Sequence, residues 1–188
     1  MELAGVGENG TVELRLSGDR LSLNFATDTL RRDVRLTNDS RINAVASRGG
    51  GEVVVTGRNI LLDRSVISTG ILTGSDNATT NQAGDITINA SANLQLTQNS
   101  DIKNLVNPNA IGQGGDTHIT AADIKVSNGS TITTSTAGTG DAGNVRVTAN
   151  TIALEGSTNG QGVSVIASRV FGTGRGRSGN VTIRPLQK

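Results

Sequence analysis

The sequence predicts an all-β fold, a parallel β-helix (β-solenoid) with three strands per coil and about five coils. A glycine-led segment recurs five times at spacings of 33, 31, 28 and 36 residues. Within each repeat, apolar residues alternate with polar ones at the period of two that strands require. The chain contains no Trp or Tyr and two Phe, so Val, Ile, Leu and Ala must fill the interior. Repeats of this length and composition are typical of solenoids built from many similar layers.

Each predicted coil carries three strands in a fixed order. The first follows Gly51, Gly84, Gly115, Gly143 and Gly179, with inward pairs Val53/Val55, Ile86/Ile88, Thr117/Ile119, Val145/Val147 and Val181/Ile183. The second has the inward pairs Ile60/Leu62, Leu94/Leu96, Ile124/Val126 and Ile152/Leu154. The third is predicted to be shorter and to follow a turn holding Ser65, Ser100 or Ser130, with Ile67, Ile102, Ile132 and Val165 inside. A sandwich or barrel would not require this fixed order.

Residues 51–188 therefore form the predicted β-helix repeats, and residues 1–50 an N-terminal coil or hairpin with an insertion, all in one continuous solenoid domain. The alternating segments 12–16 and 21–25 are compatible with a hairpin or with two sides of a first coil. Leu36 and Ile42 resemble the later part of a coil. The insertion at 26–33 is the one place where a short helical turn is expected.

Composition and charge exclude several classes of function. Seventeen basic and sixteen acidic residues leave a net charge of +1, so no global field favours nucleic acid or an anionic membrane. There is no cysteine. The apolar runs are three residues long, far too short for membrane insertion.

The first ten residues have no signal-peptide pattern. The cluster of Arg169, Arg175, Arg177 and Arg184 lacks interleaved aromatic residues and is interpreted as a solvated edge.

The segments GDTHITAADIKVSNGSTITTSTAGTGDAG (115–143) and GNVRVTANTIALEGS (143–157) resemble repeats of cyanobacterial filamentous-haemagglutinin-like exoproteins, which are exported by two-partner secretion. The resemblance covers roughly residues 51–185. It implies a right-handed β-helix, a secreted or cell-surface location, and adhesive or structural roles. The secretion domain of that family carries Asn-Pro-Asn-Gly. In this chain Asn107-Pro108-Asn109-Ala110 lacks the glycine and is interpreted as a loop.

No catalytic, cofactor-binding or metal-binding residue is predicted. The outward positions of the second strands form the column Asp63, Thr97, Ser127, Glu155. Neighbouring coils are about 4.8 Å apart, so Asp63 and Glu155, three coils from each other, are separated by about 14 Å. This distance is too long for joint acid and base catalysis. Asp101 is expected between Val66 and Thr131 without a second carboxylate. The single histidine, His118, belongs to the outer column Val54, Thr87, His118, Arg146, Thr182. The bulky charged side chains in this column make it unsuitable for ice binding. His118 is expected to have no carboxylate partner with which to form a proton relay or a metal site.

Two further motifs have simple structural interpretations. Gly174, Gly176 and Gly179 match a dinucleotide fingerprint but lead into a strand, whereas the fingerprint requires a helix. The residues that follow the repeat glycines, namely Glu52, Asp85, Asp116, Asn144 and Asn180, form a ladder. Asx turns at each corner are the favoured explanation, and calcium binding is the alternative.

The predicted function is that of a structural and adhesive segment of a secreted exoprotein, not an enzyme. Binding is expected through the loops 70–83, 104–114, 135–142 and 168–178, because loops on a rigid scaffold carry recognition. The expected partners are a cell-surface glycan or protein, or further copies through end-to-end or lateral self-association, because the C-terminal coil is expected to be uncovered. The alternatives are a polysaccharide lyase or hydrolase on a β-helix, and a filament-forming or scaffold protein.

Overall fold

The computed structural model describes residues 1–8, 12–17, 20–25, 29–73, 81–157, 160 and 162–187. Within these residues the protein is all-β and contains no helix. The strands are β1 (Glu2–Ala4), β2 (Val12–Ser17), β3 (Arg20–Phe25), β4 (Val34–Leu36), β5 (Arg41–Ala46), β6 (Val53–Gly57), β7 (Ile60–Asp63), β8 (Val66–Ile71), β9 (Ile86–Ala90), β10 (Asn93–Thr97), β11 (Asp101–Val106), β12 (Thr117–Thr120), β13 (Asp123–Val126), β14 (Thr131–Thr136), β15 (Val145–Thr148), β16 (Thr151–Leu154), β17 (Val165–Val170) and β18 (Val181–Arg184).

Sixteen of these strands form three parallel sheets stacked as a β-solenoid. The first sheet has the order β1-β6-β9-β12-β15-β18, the second β16-β13-β10-β7-β4 and the third β17-β14-β11-β8-β5. Successive members of each sheet come from successive repeats, and the sheets are open at both ends, unlike a barrel. The glycine-led strands pair in parallel and in register, with Val53 opposite Ile86, Ile86 opposite Thr117 and Thr117 opposite Val145. The prediction of an all-β parallel solenoid is confirmed.

The core lies between the three sheets and consists of stacked columns of the same residue type. Val53, Ile86, Thr117 and Val145 form one column, which is β-branched throughout and fully buried. Ile67, Ile102 and Ile132 form another on the third sheet, also fully buried. β-branched residues suit such columns because they are stiff at χ1 and pack well on a pleated surface.

The third strand differs from the prediction in length and at its last member. It is six residues long in β5, β8, β11, β14 and β17, whereas the first and second strands of these coils have three to five. Ile166, not Val165, pairs with Ile132 and joins the core, while Val165 pairs with Thr131. Two adjacent β-branched residues left the register ambiguous. In the observed register Ile166 extends the isoleucine column, whereas a shift of β17 by one residue would turn Ile166 outward.

The N-terminal region forms a short strand and a hairpin. β1 pairs in parallel with β6 at the edge of the first sheet. β2 and β3 pair antiparallel, so of the two arrangements left open by the sequence the hairpin is the one observed. The backbone N–H of Leu23 donates to the Glu2 carboxylate, which ties the hairpin to β1.

The prediction of a helical turn at 26–33 is wrong for residues 29–33. Residues 26–28 lie outside the described residues. Arg31 forms an isolated antiparallel bridge with Val6, and the Arg32 N–H donates to the Gly5 carbonyl at 2.9 Å. The segment is therefore paired with the N-terminal chain, and that pairing replaces the local bonds that a helical turn would need.

The two ends of the stack differ in exposure. On the edge strands β4 and β5, Leu36 is 6 % and Ile42 is 7 % exposed. At the opposite end, Leu154 on β16 is 50 % exposed and Ile183 on β18 is 59 % exposed. The inward positions of the last coil therefore present apolar side chains to solvent.

Candidate functional site

Polar side chains at the first corner join each coil to the next. The Asp85 carboxylate accepts the Asp116 N–H at 2.8 Å, the Asp116 carboxylate accepts the Asn144 N–H at 2.7 Å, and the Asn144 side-chain carbonyl accepts the Asn180 N–H at 2.9 Å. We call this series the first-corner ladder. Its hydrogen bonds join one coil to the next, whereas Asx turns would form bonds within a single coil. The ladder predicted from the sequence therefore exists, but its hydrogen bonds differ from those expected.

The second corner carries a similar series. The Asn59 amide donates to Asp33 at 2.8 Å, the Asn93 amide donates to Asn59 at 2.8 Å, and the Thr151 hydroxyl donates to Asp123. Asn93 and Asp123 are paired in register on β10 and β13. The sequence analysis did not single out these residues, although each stands just before or at the start of a second-sheet strand.

At the third corner a series of buried serines joins the coils. The Ser65 N–H donates to the Ser100 hydroxyl, and the Ser100 N–H donates to the Ser130 hydroxyl, both at 3.1 Å. All three serines are completely buried. The turn before each is built from residues with positive φ, including Gln98 (56°) and Asn99 (58°), a conformation that Asn adopts more readily than most residues. We call this series the serine ladder.

Polar side chains also cross the interior. Asn104 is completely buried on β11. Its amide donates to the Gly84 carbonyl at 2.8 Å, and its side-chain oxygen accepts the Gly115 N–H at 3.2 Å. In the next coils, the Thr134 and Ser168 hydroxyls both donate to the Gly143 carbonyl. These bonds satisfy backbone groups of the glycine-led corners from inside the coil, which explains why the third strand looked short in a search for apolar residues.

The described parts of the loops that were expected to carry recognition are stacked on one another, and residues 74–80 of the first loop lie outside the described residues. Ile111 bridges to Thr139, and Thr139 bridges to Arg175, in parallel pairs. Side chains again join neighbouring coils, because the Asp141 N–H donates to Gln113 at 2.9 Å and the Arg177 N–H donates to Asp141 at 2.8 Å. We call the described residues 81–83, 107–114, 137–142 and 171–178 the loop wall.

Glycines make the close approach in the loop wall possible. A Cβ atom on Gly140 would lie 1.9 Å from the Gly112 carbonyl oxygen, and one on Gly176 would lie 2.1 Å from the Gly140 carbonyl oxygen. Both residues have positive φ. Gly174, Gly176 and Gly179 all pack against the preceding coil and lead into β18, so their interpretation as loop glycines is confirmed.

The titratable residues considered for catalysis are placed as the sequence analysis expected. Thr97 pairs with Asp63, and the Glu155 N–H donates to the Val126 carbonyl, so Asp63 and Glu155 belong to coils three steps apart. Glu155 forms an ion pair with Lys125 at 2.9 Å. Asp101 accepts the Thr131 hydroxyl at 2.8 Å and lies 3.7 Å from Lys103. Ser127 takes its predicted place between Thr97 and Glu155, but it is buried and not exposed as an outer position would be.

His118 stands between Thr87 and Arg146 in the first sheet. Arg146 forms an ion pair with Asp116 at 3.8 Å. Among the described residues no three His, Asp or Glu side chains form a group that could hold a metal ion. No helix in the same part of the chain is long and apolar enough to span a bilayer.

A groove of about 490 Å³ lies between the hairpin and the outer face of the first sheet. Its described lining includes Glu2, Leu23, Arg31, Val54 and Ser91. Glu2 is the one carboxylate of that lining, and it already accepts the Leu23 N–H. A second groove of about 260 Å³ includes Asp39, Arg41 and Arg64. Among their described lining residues, neither groove brings two carboxylates together.

The last coil has the most uneven distribution of charge. Residues 156–188 contain five Lys or Arg and no Asp or Glu, whereas residues 51–155 contain five Lys or Arg and nine Asp or Glu. Arg169, Arg175, Arg177 and Arg184 are all exposed. The guanidinium group of Arg169 lies 5.3 Å from the centre of the Phe171 ring. We call residues 162–184 the arginine coil.

Comparison of the chain with protein families, with curated proteins and with solved structures gives no match.

Proposed function

We propose that the chain is a structural and adhesive β-solenoid segment of a secreted or cell-surface exoprotein resembling the filamentous-haemagglutinin type. The proposal includes right-handed winding and about five coils. Five or six strands in each parallel sheet support the number of coils. Right-handed winding is supported by the strong preference of parallel strand connections for that hand.

One observation carries the functional proposal: the polar side chains of the corners are used to join coils. The first-corner ladder, the serine ladder and the loop wall direct their oxygen atoms to backbone N–H groups of neighbouring coils. Charged groups of the outer faces form ion pairs, as in Lys125 with Glu155. A site for acid and base catalysis requires carboxylates held close together, so a rigid, non-catalytic stack is favoured over a polysaccharide lyase or hydrolase.

The secreted location and the glycan or protein partners rest on the resemblance of residues 115–157 to exoprotein repeats. The exposed outer residues of the loop wall, including Gln113, Asp141 and Arg175, are the part of the loops open to a partner. Recognition therefore involves the outer surface of a stacked wall.

The proposal is tested by incubating the protein with neutral and acidic polysaccharides and measuring both retention and new reducing or unsaturated ends. We expect retention on at least one surface glycan without turnover. Turnover that is lost in Glu155→Gln or Asp123→Asn variants would replace the adhesive role with an enzymatic one. Fractionation of the source cells with an antibody to the chain tests the location, and a purely cytoplasmic pool would contradict it.

A filament-forming or scaffold role is the second candidate, and the exposed end of the stack favours it. Leu154, Val181 and Ile183 expose apolar side chains at the open edges of two sheets. Open edges pair readily with further strands, which is compatible with end-to-end self-association.

A further inference from the structure

We propose that the arginine coil binds a carboxylated acidic polysaccharide, in which successive sugars carry carboxylate groups. This inference rests on the proposed adhesive role and names its class of ligand. The arginine coil is the one segment of this length in which basic residues occur without any acidic residue, as residues 156–188 contain five Lys or Arg and no Asp or Glu.

The guanidinium groups of this coil are available to a ligand. Three cations of the preceding coils pair with carboxylates, namely Lys103 with Asp101, Lys125 with Glu155 and Arg146 with Asp116. In the described part of the chain, no such ion pair involves Arg169, Arg175, Arg177 or Arg184. An unpaired guanidinium presents a planar fork of donors that matches a carboxylate.

Two of the arginines are spaced for a repeating anion. The Gly140 N–H donates to the Arg175 carbonyl at 2.7 Å, and the Ala142 N–H donates to the Arg177 carbonyl at 2.9 Å. Arg175 forms an isolated parallel bridge with Thr139, and one residue separates it from Arg177, so the two Cα atoms lie at most about 7 Å apart along the same stacked segment. Both side chains are exposed. These backbone hydrogen bonds also attach both residues to the preceding coil, which lowers the entropic cost of ordering them on binding.

The same surface suits a polysaccharide better than nucleic acid. Single-stranded nucleic acids are held by aromatic side chains on which successive bases stack. The chain has no Trp or Tyr, and the Phe171 ring already lies against Arg169. The arginine side chains therefore recognise their ligand by charge. A polymer of carboxylated sugars provides that charge and does not need aromatic stacking.

The test is titration of the protein with polygalacturonate, with dextran of similar length as the neutral probe and an oligothymidylate as the nucleic-acid probe. We expect binding of polygalacturonate that weakens as salt is raised, because exposed charges are screened. The double variant Arg175→Gln/Arg177→Gln should bind about tenfold more weakly, since each exposed pair contributes modestly. The matched control is Arg58→Gln/Arg64→Gln, which removes the same charge from two exposed arginines of an earlier coil and should change the affinity less than about twofold.

Each outcome separates this inference from the proposed function. Equal weakening in both double variants would show a response to net charge alone and overturn the arginine coil as the site. Tighter binding of oligothymidylate than of polygalacturonate would overturn the ligand class, and so would failure to bind polygalacturonate. Equal binding of dextran would leave the adhesive role intact and refute the charge recognition, whereas cleavage of the polymer would refute the adhesive role itself. Far-UV circular dichroism confirms that each variant is folded.

Discussion

Gly140 occupies a position where a side chain would meet the backbone of the coil beneath it. Its φ is 129°, and a Cβ atom would lie 1.9 Å from the Gly112 carbonyl oxygen. We predict that Gly140→Ala lowers the free energy of unfolding by about 2 kcal/mol or more, because it combines a strained φ with a clash. The measurement is urea unfolding followed by circular dichroism.

The control for Gly140→Ala is Gly156→Ala. A Cβ atom on Gly156 meets no heavy atom within 4 Å, and the residue lies outside the positive-φ set. We expect its unfolding midpoint to stay close to that of the wild type. A similar loss in both variants would mean that the unfolded chain, and not stacking of the loop wall, determines the effect.

Among the interior residues, we expect substitution of Asn104 to reduce stability most. It is fully buried and satisfies the Gly84 carbonyl and the Gly115 N–H. We predict that Asn104→Ala costs about 2 to 4 kcal/mol, since two buried backbone groups lose their partner and a small cavity forms. Thermal unfolding measures the loss. Asn89→Ala, at an exposed position on β9, should shift stability by less than about 0.5 kcal/mol, and a comparable loss there would contradict this interpretation.

The strands and the corners contribute to stacking in different ways. Strand pairing supplies the register, and the apolar columns supply most of the burial, but the corners would leave backbone N–H groups unpaired without side-chain acceptors. The first-corner ladder provides such an acceptor at each of three steps, from Asp85 to Asp116, Asn144 and Asn180. The first-corner ladder therefore joins neighbouring coils by hydrogen bonds, as the paired strands do.

Two substitutions at Asp116 distinguish hydrogen bonding from charge in this ladder. Asp116 accepts the Asn144 N–H at 2.7 Å and lies 3.8 Å from Arg146. We predict that Asp116→Ala costs about 1 to 2 kcal/mol because the N–H loses its acceptor. Asp116→Asn keeps a carbonyl oxygen there and should cost at most about half as much. Urea unfolding of both variants measures this, and equal losses would assign the effect to the ion pair.

At the scale of the element, the sequence is most informative about the first and second strands. Val53 with Val55 and Leu94 with Leu96 alternate clearly, so their sheets and register were predictable. The third strand was harder, because Asn104 and Thr134 are polar yet point inward, and because Val165 and Ile166 are both β-branched. Hydrogen bonds such as that from Asn104 to Gly84 join residues about twenty positions apart, and no local pattern encodes them.

The stacking of the loops was not predicted from the sequence. Polar, glycine-rich segments are usually exposed connections, and this led to the expectation that they carry recognition. In the structure Ala110 and Ala137 are buried, and the Thr139 N–H donates to the Ala110 carbonyl at 2.8 Å. The glycines permit close stacking between loops. A recurring glycine at Gly112, Gly140 and Gly176 was the available signal, since residues of one column repeat from coil to coil.

For the whole molecule, the arginine coil and the exposed end of the stack should oppose each other. Val181 and Ile183 favour end-to-end association, while the positive charge of residues 156–188 repels a second copy of the same end. We predict that self-association increases from about 0.01 M to about 1 M salt, because the Debye length falls from about 30 Å to about 3 Å. Sedimentation velocity measures it.

The variant Val181→Thr/Ile183→Thr should remain monomeric across this range, since it reduces the exposed apolar surface but keeps β-branched side chains. Leu72→Thr is the control, because Leu72 is also exposed but follows β8, away from the end of the stack. A wild-type protein that stays monomeric at every salt concentration would contradict the prediction.

The direction of the corner bonds has a consequence for the order in which the chain acquires its structure. At the first corner the earlier coil provides the acceptor for the later N–H, as Asp116 does for Asn144. At the third corner the earlier coil provides the donor, as Ser100 does for Ser130. At these two corners a completed coil therefore leaves a side-chain acceptor and a backbone donor without partners until the next coil is added, besides the unpaired groups of its strand edges. A chain that emerges gradually, N-terminus first, meets a prepared template at every step and can fold vectorially, adding one coil at a time.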